Sequence, residues 1–426
     1  MTASLPAGYR METLDATRLR DVMVLDTWAF PSSSPPEDFP AEASSLPWDR
    51  TVGVVAPGAR GGELAALYAS YPFRHFPTPG DAIPVGGLTW VGVHPQHRRR
   101  GILTAMIDTH LAECAERGEA FSALFAAEHA IYGRFGYGRA ADDLRLEVPR
   151  GAALRDVPGA AEHTVRIELA SREEHAALVE RLHQQAGQGV GGVNRPGWVS
   201  RETDALQASY WDDSPVSRGG REPLRIAIVE RDGEPRGYAR LRRKLDWEVA
   251  GPRGRVDTGE VVALDAAAAR ALWGVLLDLD LTSVVAPFVL PVDDVVTHLL
   301  VDRRAALPRI ADNLWVRVVD IPAALAGRRY AADVDVVLGV RDARLPGNAA
   351  AWHLRARAFE PATCERTDAA PDLELDVREL GAAYLGGTSL AALAASGLVT
   401  EHTPGTLARA AAAFGWPLAP ACSWVF

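Results

Sequence analysis

Apolar and polar positions in the first part of the chain change between the spacing of helices and that of strands. Apolar residues at helical spacing predict a helix over residues 19–28, and a proline- and serine-rich stretch over residues 31–47 predicts a loop. β-Branched and aromatic residues cluster between glycines and prolines over residues 51–55, 67–71 and 88–93, which predicts three strands. The order of these elements is typical of a mixed α/β unit.

The period of the apolar positions changes after His94-Pro95. Apolar residues from position 102 onward recur at helical spacing, which predicts a helix that ends near Gly118. A strand is therefore followed closely by a helix, with only a short turn between them. We expect this first unit to extend over residues 1–150.

A second unit, predicted over residues 165–306, repeats this coarse plan. Residues 224–230 and 237–245 have the composition of strands, and they flank Asp232-Gly233, a dipeptide that favours a tight hairpin turn. A strand over residues 259–264 then leads into an alanine-rich helix. The second unit is therefore expected to have the fold of the first.

A third unit is predicted over residues 314–426. It alternates strand-type segments, such as residues 334–340, with three helix-type segments near its end. The sequence shows no repeat of solenoid period and no long low-complexity tract. Three consecutive mixed α/β units are expected.

Length and charge limit the class of protein. A chain of 426 residues, of which 48% are hydrophobic and 23% charged, is too long for one core of usual size. The net charge of −10 argues against nucleic-acid binding and favours cationic partners. No signal peptide and no apolar run of membrane-spanning length is visible, so we expect a cytoplasmic protein without a membrane partner.

The three cysteines, Cys114, Cys364 and Cys422, are widely spaced along the chain. Their spacing fits neither a disulfide framework nor a paired-cysteine zinc site. None lies near the motifs described below, so none is expected to carry an acyl group. We expect reduced core thiols and no metal.

The turn between the third strand and the second helix is the most informative segment. Arg98, Arg99 and Arg100 lie beside Gly101 at the predicted start of the helix. Backbone N–H groups and the positive end of a helix favour an anion there, and glycine lets the backbone approach it closely. The alternative is a solvated arginine run on a surface helix. The strand-turn-helix context favours a pyrophosphate site.

This segment resembles the acetyl-CoA-binding motif of the GNAT N-acetyltransferases, which is Gln or Arg, two residues, Gly, one residue, then Gly or Ala. Arg98 and Gly101 match the motif, whereas Leu103 departs from its last position. Together with residues 130–138, AIYGRFGYG, the HRRRGIL turn is similar to the enhanced intracellular survival (Eis) family of acetyltransferases. A bulky residue at the position of Leu103 is usual in that family.

The resemblance covers the whole chain and implies two tandem GNAT-like domains followed by a sterol-carrier-protein-like domain. It implies acetyl-CoA as co-substrate, an amine of a cationic small molecule such as an aminoglycoside as acceptor, and a homohexamer. It also implies a splayed strand that pairs with the pantetheine amides and a pyrophosphate cradle. The residues expected to bind acetyl-CoA are Val91, Gly92, Val93, Arg98, Arg99, Arg100, Gly101, Ile102, Leu103, Thr104, Ala127 and Glu128.

The second unit lacks these features. Its corresponding segment, VVALDAAAARALWGVLL, contains neither a glycine turn nor an arginine cluster. We therefore expect it to share the fold but to bind no CoA.

Acetyl transfer to an amine requires a proton for the leaving thiolate and a base for the ammonium group. Tyr132 lies in the IYGRFGYG segment, where the resemblance implies a general acid; taken alone, a tyrosine there is more often a core residue. The chain ends on an apolar segment that suggests docking, so the carboxylate of Phe426 would enter a cleft. The resemblance implies that this carboxylate is the base; the alternative is a tail that only joins two domains.

The acceptor site is less well defined by the sequence. The resemblance implies that Asp26, on the first helix, receives a substrate ammonium group. Trp28 and Phe30 are candidates for lining the acceptor pocket, although such aromatic residues are more often part of the core. Val425 stands where an acidic neighbour of the chain end could have bound a second ammonium group, so the sequence leaves the acceptor range open.

Three other functions stay open at this point. The acceptor could be a protein lysine, which differs only in the width of the acceptor cleft. The first unit could bind CoA without turnover. The third unit could carry a lipid or another hydrophobic ligand, and such a carrier would bind lipid and ignore acetyl-CoA. Direct transfer in a ternary complex is our prediction.

Overall fold

The computed structural model of the chain describes residues 4–31, 35, 38, 45–58, 63–189 and 191–426. Most of the loop predicted over residues 31–47 lies outside these ranges. The first unit contains β1 (Arg10–Thr13), α1 (Leu19–Ala29), β2 (Thr51–Val55), β3 (Leu64–Thr78), β4 (Asp81–Val93), α2 (Ile102–Glu116), β5 (Phe121–Phe125), α3 (His129–Tyr132), β6 (Gly138–Arg139), β7 (Asp142–Arg145) and β8 (Val148–Pro149).

Strands β1 to β5 pair in chain order within the described residues, and all neighbours are antiparallel except the parallel pair β4–β5. The predicted helix over residues 19–28 is confirmed as α1, and the predicted strand over residues 51–55 is confirmed as β2. The other two predicted strands form parts of the longer β3 and β4. Buried apolar residues of α2 pack against this sheet and against Tyr68 and Leu88. The parallel crossover through α2 places the turn before α2 at the carboxyl end of β4.

The second unit contains β9 (His163–Leu169), α4 (Arg172–Gly187), α5 (Asp204–Tyr210), α6 (Pro215–Arg218), β10 (Arg225–Arg231), β11 (Glu234–Lys244), β12 (Trp247–Glu248), β13 (Gly251–Pro252), β14 (Gly254–Ala263), α7 (Ala266–Leu276), β15 (Thr282–Pro287), β16 (Leu290–Pro291) and α8 (Val296–Leu299). Its sheet has the order β8-β15-β14-β11-β10-β9 in the described part of the chain.

The predicted hairpin of the second unit is confirmed. Strands β10 and β11 are antiparallel and are joined by Asp232 and Gly233, whose φ values are 52° and 80°. Positive φ at both central residues is what a tight hairpin with right-handed twist requires. Strand β14 then leads through α7 to the parallel strand β15, as in the first unit.

The third unit contains β17 (Arg309–Asp312), β18 (Leu314–Val318), α9 (Ile321–Ala326), β19 (Val334–Arg341), β20 (Ala350–Ala356), β21 (Thr363–Thr367), β22 (Leu373–Asp376), α10 (Val377–Tyr384), α11 (Leu390–Ala395), β23 (Val399–Glu401) and α12 (Thr406–Phe414). A sheet in the order β21-β20-β19-β22-β23 carries the three helices predicted near the end of the chain.

Strand β18 belongs to the first sheet, although the sequence interpretation counted residues 314–318 in the third unit. It pairs with β5 on one side and with β6 on the other. Its one charged side chain, Arg317, is fully buried and donates to both carboxylate oxygens of Asp342, at 2.7 and 2.8 Å, and to the carbonyl oxygen of Phe135. The apolar pattern of this segment predicts a strand, but it does not specify the sheet that the strand joins.

A small sheet in the order β16-β7-β17 connects the units. Strand β7 of the first unit pairs with β16 of the second and with β17, which directly precedes β18. This small sheet lies beside the first sheet, because only one residue separates Asp312, at the end of β17, from the start of β18. Residues from three parts of the chain therefore meet at one place.

Candidate functional site

Strands β4 and β5 separate after a short parallel contact. They pair only at Gly86 with Ser122 and at Gly87 with Ala123, whereas β5 pairs along its whole length with β18 on its other edge. A Cβ atom on Gly87 would lie 2.4 Å from the ring of Phe73 on β3, so glycine at this position leaves room for that buried ring. Beyond the contact the two strands diverge and leave a gap in the sheet.

The separated part of β4 contains a bulge. The register between β3 and β4 shifts between the pairs Ala69–Thr89 and Leu67–Gly92, and Trp90 has a φ of 53°. A bulge bends a strand and leaves part of its backbone without a ladder partner. The polar backbone groups of residues 90 and 91 are therefore outside the regular pairing at the gap.

The turn after β4 ends in an uncapped helix start. His94 begins a short 3-10 turn over Pro95–His97, and Arg99 and Gly101 follow with φ values of 61° and 82°. Gly101 is the N-cap of α2 and has no side chain to cap the helix, and the helical hydrogen bonds begin with the N–H of Ala105 bonded to the carbonyl of Gly101. The N–H groups of the first turn thus point toward the outside of the helix end, as an anion-binding site requires.

The gap and the turn open into one cleft of about 860 Å³. Most of the residues that the sequence predicted for the site lie along its walls. They are Phe30, Val91, Gly92, Val93, Arg98, Arg99, Gly101, Ile102, Leu103, Thr104, Ala127, Glu128, Tyr132 and Phe426.

Three predicted residues do not line this cleft. Arg100 turns away, and its guanidinium donates to the hydroxyl of Tyr9 at 3.4 Å and to the carbonyl oxygen of Gln96 at 3.3 Å. Trp28 is 56% exposed, and its ring packs against His94 with a centroid distance of 5.1 Å. Asp26 lies on α1 within one turn of Phe30, whose N–H donates to the Asp26 carbonyl oxygen. Desolvation by burial raises the pKa of the Asp26 carboxyl to about 6.

Tyr132 lies at the end of α3 and is buried on the wall of the cleft. Its ring packs edge-on against Tyr137, with a centroid distance of 5.8 Å. Desolvation by burial, with a smaller contribution from the negative charge of Glu128, raises the pKa of Tyr132 to about 12. The phenol therefore keeps its proton at neutral pH and can donate it.

The last residues of the sequence form a tail that ends in the cleft. The ring of Phe426 packs against Phe73 of β3 and Phe125 of β5, with centroid distances of 4.8 and 5.2 Å. The indole N–H of Trp424 donates to the carbonyl oxygen of Val199 at 2.7 Å. These contacts bring Phe426 to the same cleft as Tyr132.

The sequence reasoning missed charged residues on the far wall of the cleft. These are Arg134, Arg145 and Asp312, and the Asp312 carboxylate accepts a hydrogen bond of 2.7 Å from the indole of Trp315. Arg145 and Asp312 come from β7 and β17, whose pairing across about 165 positions no local pattern indicates. Arg134 lies two residues after Tyr132 in the IYGRFGYG segment, so the sequence alone could have indicated that it lies near the cleft.

In the second unit, the helix start that corresponds to that of α2 is capped by an acidic side chain. Asp265 caps α7 by accepting a hydrogen bond of 2.8 Å from the N–H of Ala268, and it also accepts one of 2.7 Å from Arg236. A carboxylate at this position repels a phosphate and competes for the same N–H groups. The two helix starts thus differ in the way that the sequence predicts.

The described residues contain neither a metal-binding cluster nor a membrane-crossing helix. No group of three or more histidine, cysteine, aspartate or glutamate side chains in these ranges could hold a metal ion. The helices found in the same ranges are too short or too polar to cross a bilayer.

The chain resembles known protein families and solved structures over almost all of its length. Residues 10–140 and 197–318 match two families that are both described as acetyltransferase (GNAT) domains, and residues 321–423 match the sterol carrier protein domain. An uncharacterised N-acetyltransferase of Streptomyces avermitilis is 41% identical over 87% of the chain and 88% of its own length. N-acetyltransferase Eis of Mycobacterium tuberculosis is 33% identical over 89% and 90%. The crystal structure of Eis1 from Mycobacterium abscessus superposes with a TM-score of 0.79 at 29% identity, covering 98% of this chain and 100% of that one.

Proposed function

This chain belongs to the Eis family of GNAT N-acetyltransferases, and we propose that it transfers the acetyl group of acetyl-CoA directly to an amine of a cationic small molecule, such as an aminoglycoside. The GNAT fold implies acetyl-CoA as the co-substrate. One observation supports the proposal most: a single cleft is lined by an uncapped helix start with two arginines, by a buried tyrosine and by the last residue of the chain.

The donor half of the cleft fits a diphosphate. Arg98 and Arg99 line the cleft beside the first turn of α2, and a Cβ atom on Gly101 would meet nothing within 4 Å. The space in front of Gly101 is therefore free for a phosphate, which the guanidinium groups and the helix N–H groups would hold. The bulge at Trp90 leaves backbone groups that would bind the amides of the pantetheine arm.

Two groups would move protons. The Tyr132 hydroxyl would donate a hydrogen bond to the sulfur of CoA and protonate the thiolate as the thioester bond breaks; because burial raises the pKa of this phenol, the transfer has to be assisted by the negative charge that develops on the sulfur. The carboxylate of Phe426 would take the proton that the amine loses, directly or through water. The amine nitrogen forms the new bond to the acetyl carbon, so the thiol, the amide and the protons balance without an acyl-enzyme.

Substitution of Gly101 by alanine should weaken acetyl-CoA binding. The alanine would have to adopt a φ near 82° and would place a methyl group in the space where a phosphate approaches. We expect the KM for acetyl-CoA to rise about tenfold, with a smaller change in kcat. Gly118→Ala, at a similar φ of 70° but at the other end of α2, is the matched control for backbone strain. An equal KM in both variants would contradict the phosphate site.

Asp26 should make acceptor binding depend on pH. Burial raises its pKa to about 6, so the carboxyl is neutral below that pH and negatively charged above it. The KM for a cationic acceptor should therefore fall as the pH rises from 5 to 7, while the KM for acetyl-CoA stays nearly constant. Asp26→Asn should keep a high acceptor KM across this range. A wild-type acceptor KM that does not change with pH would argue against Asp26 as an acceptor group.

The proposed activity is tested by measuring release of the free CoA thiol with a panel of amines. The panel contains aminoglycosides, polyamines and lysine peptides, so that it also covers a protein lysine as acceptor. We expect turnover with the cationic small molecules. No thiol release with any amine, together with no calorimetric heat on addition of acetyl-CoA, would contradict the proposal. The hexamer stays a prediction from the family resemblance, and the cytoplasmic location stays a prediction from the sequence.

A further inference from the structure

A buried polar cluster lies in the second unit, away from the cleft walls. Its centre is Glu260 on β14, which is 2% exposed. The hydroxyl groups of Tyr210 and Tyr238 both donate to Oε2 of this carboxylate, the second at 2.6 Å. Arg201, also buried, donates to Oε1 at 3.4 Å. These partners therefore offset the free energy that burial of an unpaired carboxylate would cost.

The tail of the chain completes this cluster. The hydroxyl of Ser423 donates to Glu260 Oε1 at 2.5 Å, and Nε2 of His183 lies 3.1 Å from the same hydroxyl. Burial, with a contribution from Arg201, lowers the pKa of His183 to about 3, so its ring is neutral. Burial opposes ionisation of Glu260, but the positive charge of Arg201 and the hydrogen bonds from Ser423 and Tyr210 outweigh it and lower its pKa to about 2. Arg201 therefore balances the negative charge of Glu260, and it also pairs with Glu180 at 3.5 Å.

Glu260 lies at the position in the second sheet that corresponds to the cleft of the first unit. The parallel contact between β14 and β15 ends at the pair Thr258–Pro287, so Glu260 lies in the part of β14 where the two strands no longer pair. The first unit has its cleft at the corresponding place, beyond the last pair of β4 and β5. In the second unit, the strand at this place carries the residue that binds the tail of the chain itself.

We propose that Glu260 and Ser423 form an anchor that positions the carboxylate of Phe426 for catalysis, and that this anchoring is the function of the second unit. The inference rests on the proposed role of Phe426 as the base. Ser423 and Phe426 are three residues apart, which is about 10 Å of extended chain, so a fixed Ser423 limits where the carboxylate can lie. Glu260 and Ser423 are positioning residues, because neither lines the cleft.

The test uses Ser423→Ala in the full-length enzyme, since this change removes only the hydroxyl that links the tail to Glu260 and His183. We expect kcat to fall about tenfold, because even a small displacement of the carboxylate from the amine strongly weakens proton transfer to it. The KM for acetyl-CoA should stay unchanged. Ser283→Ala is the matched control: Ser283 lies on β15 of the same sheet and donates to the Gly254 carbonyl, far along the chain from the tail. Equal kcat values in wild type and Ser423→Ala would overturn the anchor.

A double-mutant cycle separates positioning from general stability. If Ser423 acts through the carboxylate of Phe426, Ser423→Ala should lower kcat no further in a chain that lacks Phe426. Full additivity of the two losses would overturn the proposal. Glu260→Gln, which keeps the shape of the side chain, should reproduce the kcat loss if the variant remains folded.

A readout that does not use activity distinguishes this inference from the proposed function. Carboxypeptidase should release Phe426 faster from Ser423→Ala than from wild type or from Ser283→Ala, because the tail is then less firmly held. Equal release rates would contradict the anchor even if Phe426 is the base. If release is faster but loss of Phe426 leaves kcat unchanged, the contact between Ser423 and Glu260 holds the tail, but Phe426 is not the base. That result would overturn the proposal that the anchor serves catalysis.

Discussion

Tyr132→Phe should lower kcat by about 10²–10³-fold, because the variant has no phenolic proton to give to the leaving thiolate. Acetyl-CoA affinity should stay within about twofold of wild type, since the ring still fills the same place on the wall of the cleft. The ring packs against Tyr137, and burial raises the pKa of the hydroxyl to about 12, so the group is protonated over the whole range of a kinetic assay. Steady-state kinetics with a good acceptor and calorimetric titration with acetyl-CoA measure the two quantities separately.

Tyr137→Phe is the matched control for this prediction. Tyr137 is fully buried beside Tyr132, and its hydroxyl is 2.8 Å from the Ser122 hydroxyl, outside the cleft lining. Loss of this hydrogen bond should cost about 1 kcal/mol of stability and leave kcat nearly unchanged. If Tyr132→Phe keeps wild-type kcat, the general acid must be another group or water.

Extension of the chain by one glycine after Phe426 should lower kcat by about 10²-fold, because it moves the terminal carboxylate by about 3.5 Å and puts a peptide group in its place. The ring of Phe426 would keep its contacts with Phe73 and Phe125, so the fold should be unaffected. Thermal unfolding should show the same Tm as wild type. Thiol release under saturating substrates measures the loss in kcat.

Addition of one glycine at the other end of the chain is the control for this extension, and it should leave kcat unchanged. Native activity in a protein with a C-terminal tag would mean that the carboxylate of Phe426 is not the base. Asp312 on the cleft wall would then be the next acid to test, since it is held there by the indole of Trp315.

Local features of the fold were predictable because they depend on neighbouring residues. The hairpin at Asp232-Gly233 needs two positive φ values, which these residue types favour, and the structure has both. The extent of strand β2 was predictable because prolines and a glycine, which interrupt strands, lie before and after it in the sequence. The uncapped start of α2 at Gly101 was visible for the same reason, since the strand, the turn and the helix are consecutive in sequence.

Features that depend on distant pairing were not predictable. Strand β18 was expected in the third unit, because nothing in its five residues indicates that its partners are β5 and β6. Arg145 and Asp312 reach the cleft through the pairing of β7 with β17, which joins segments far apart in the chain. The direction of Arg100 was not predictable for a different reason: in a run of three arginines, the composition does not show which side chain turns toward Tyr9.

The insertion of β18 between β5 and β6 affects how the protein forms during its synthesis. Domains often fold one after another as the chain leaves the ribosome, but the first sheet lacks an inner strand until residue 318 has emerged. The closing contacts span about 190 positions, and such long-range pairing is slow. Nascent chains therefore hold an incomplete first sheet until about three quarters of the chain has been made.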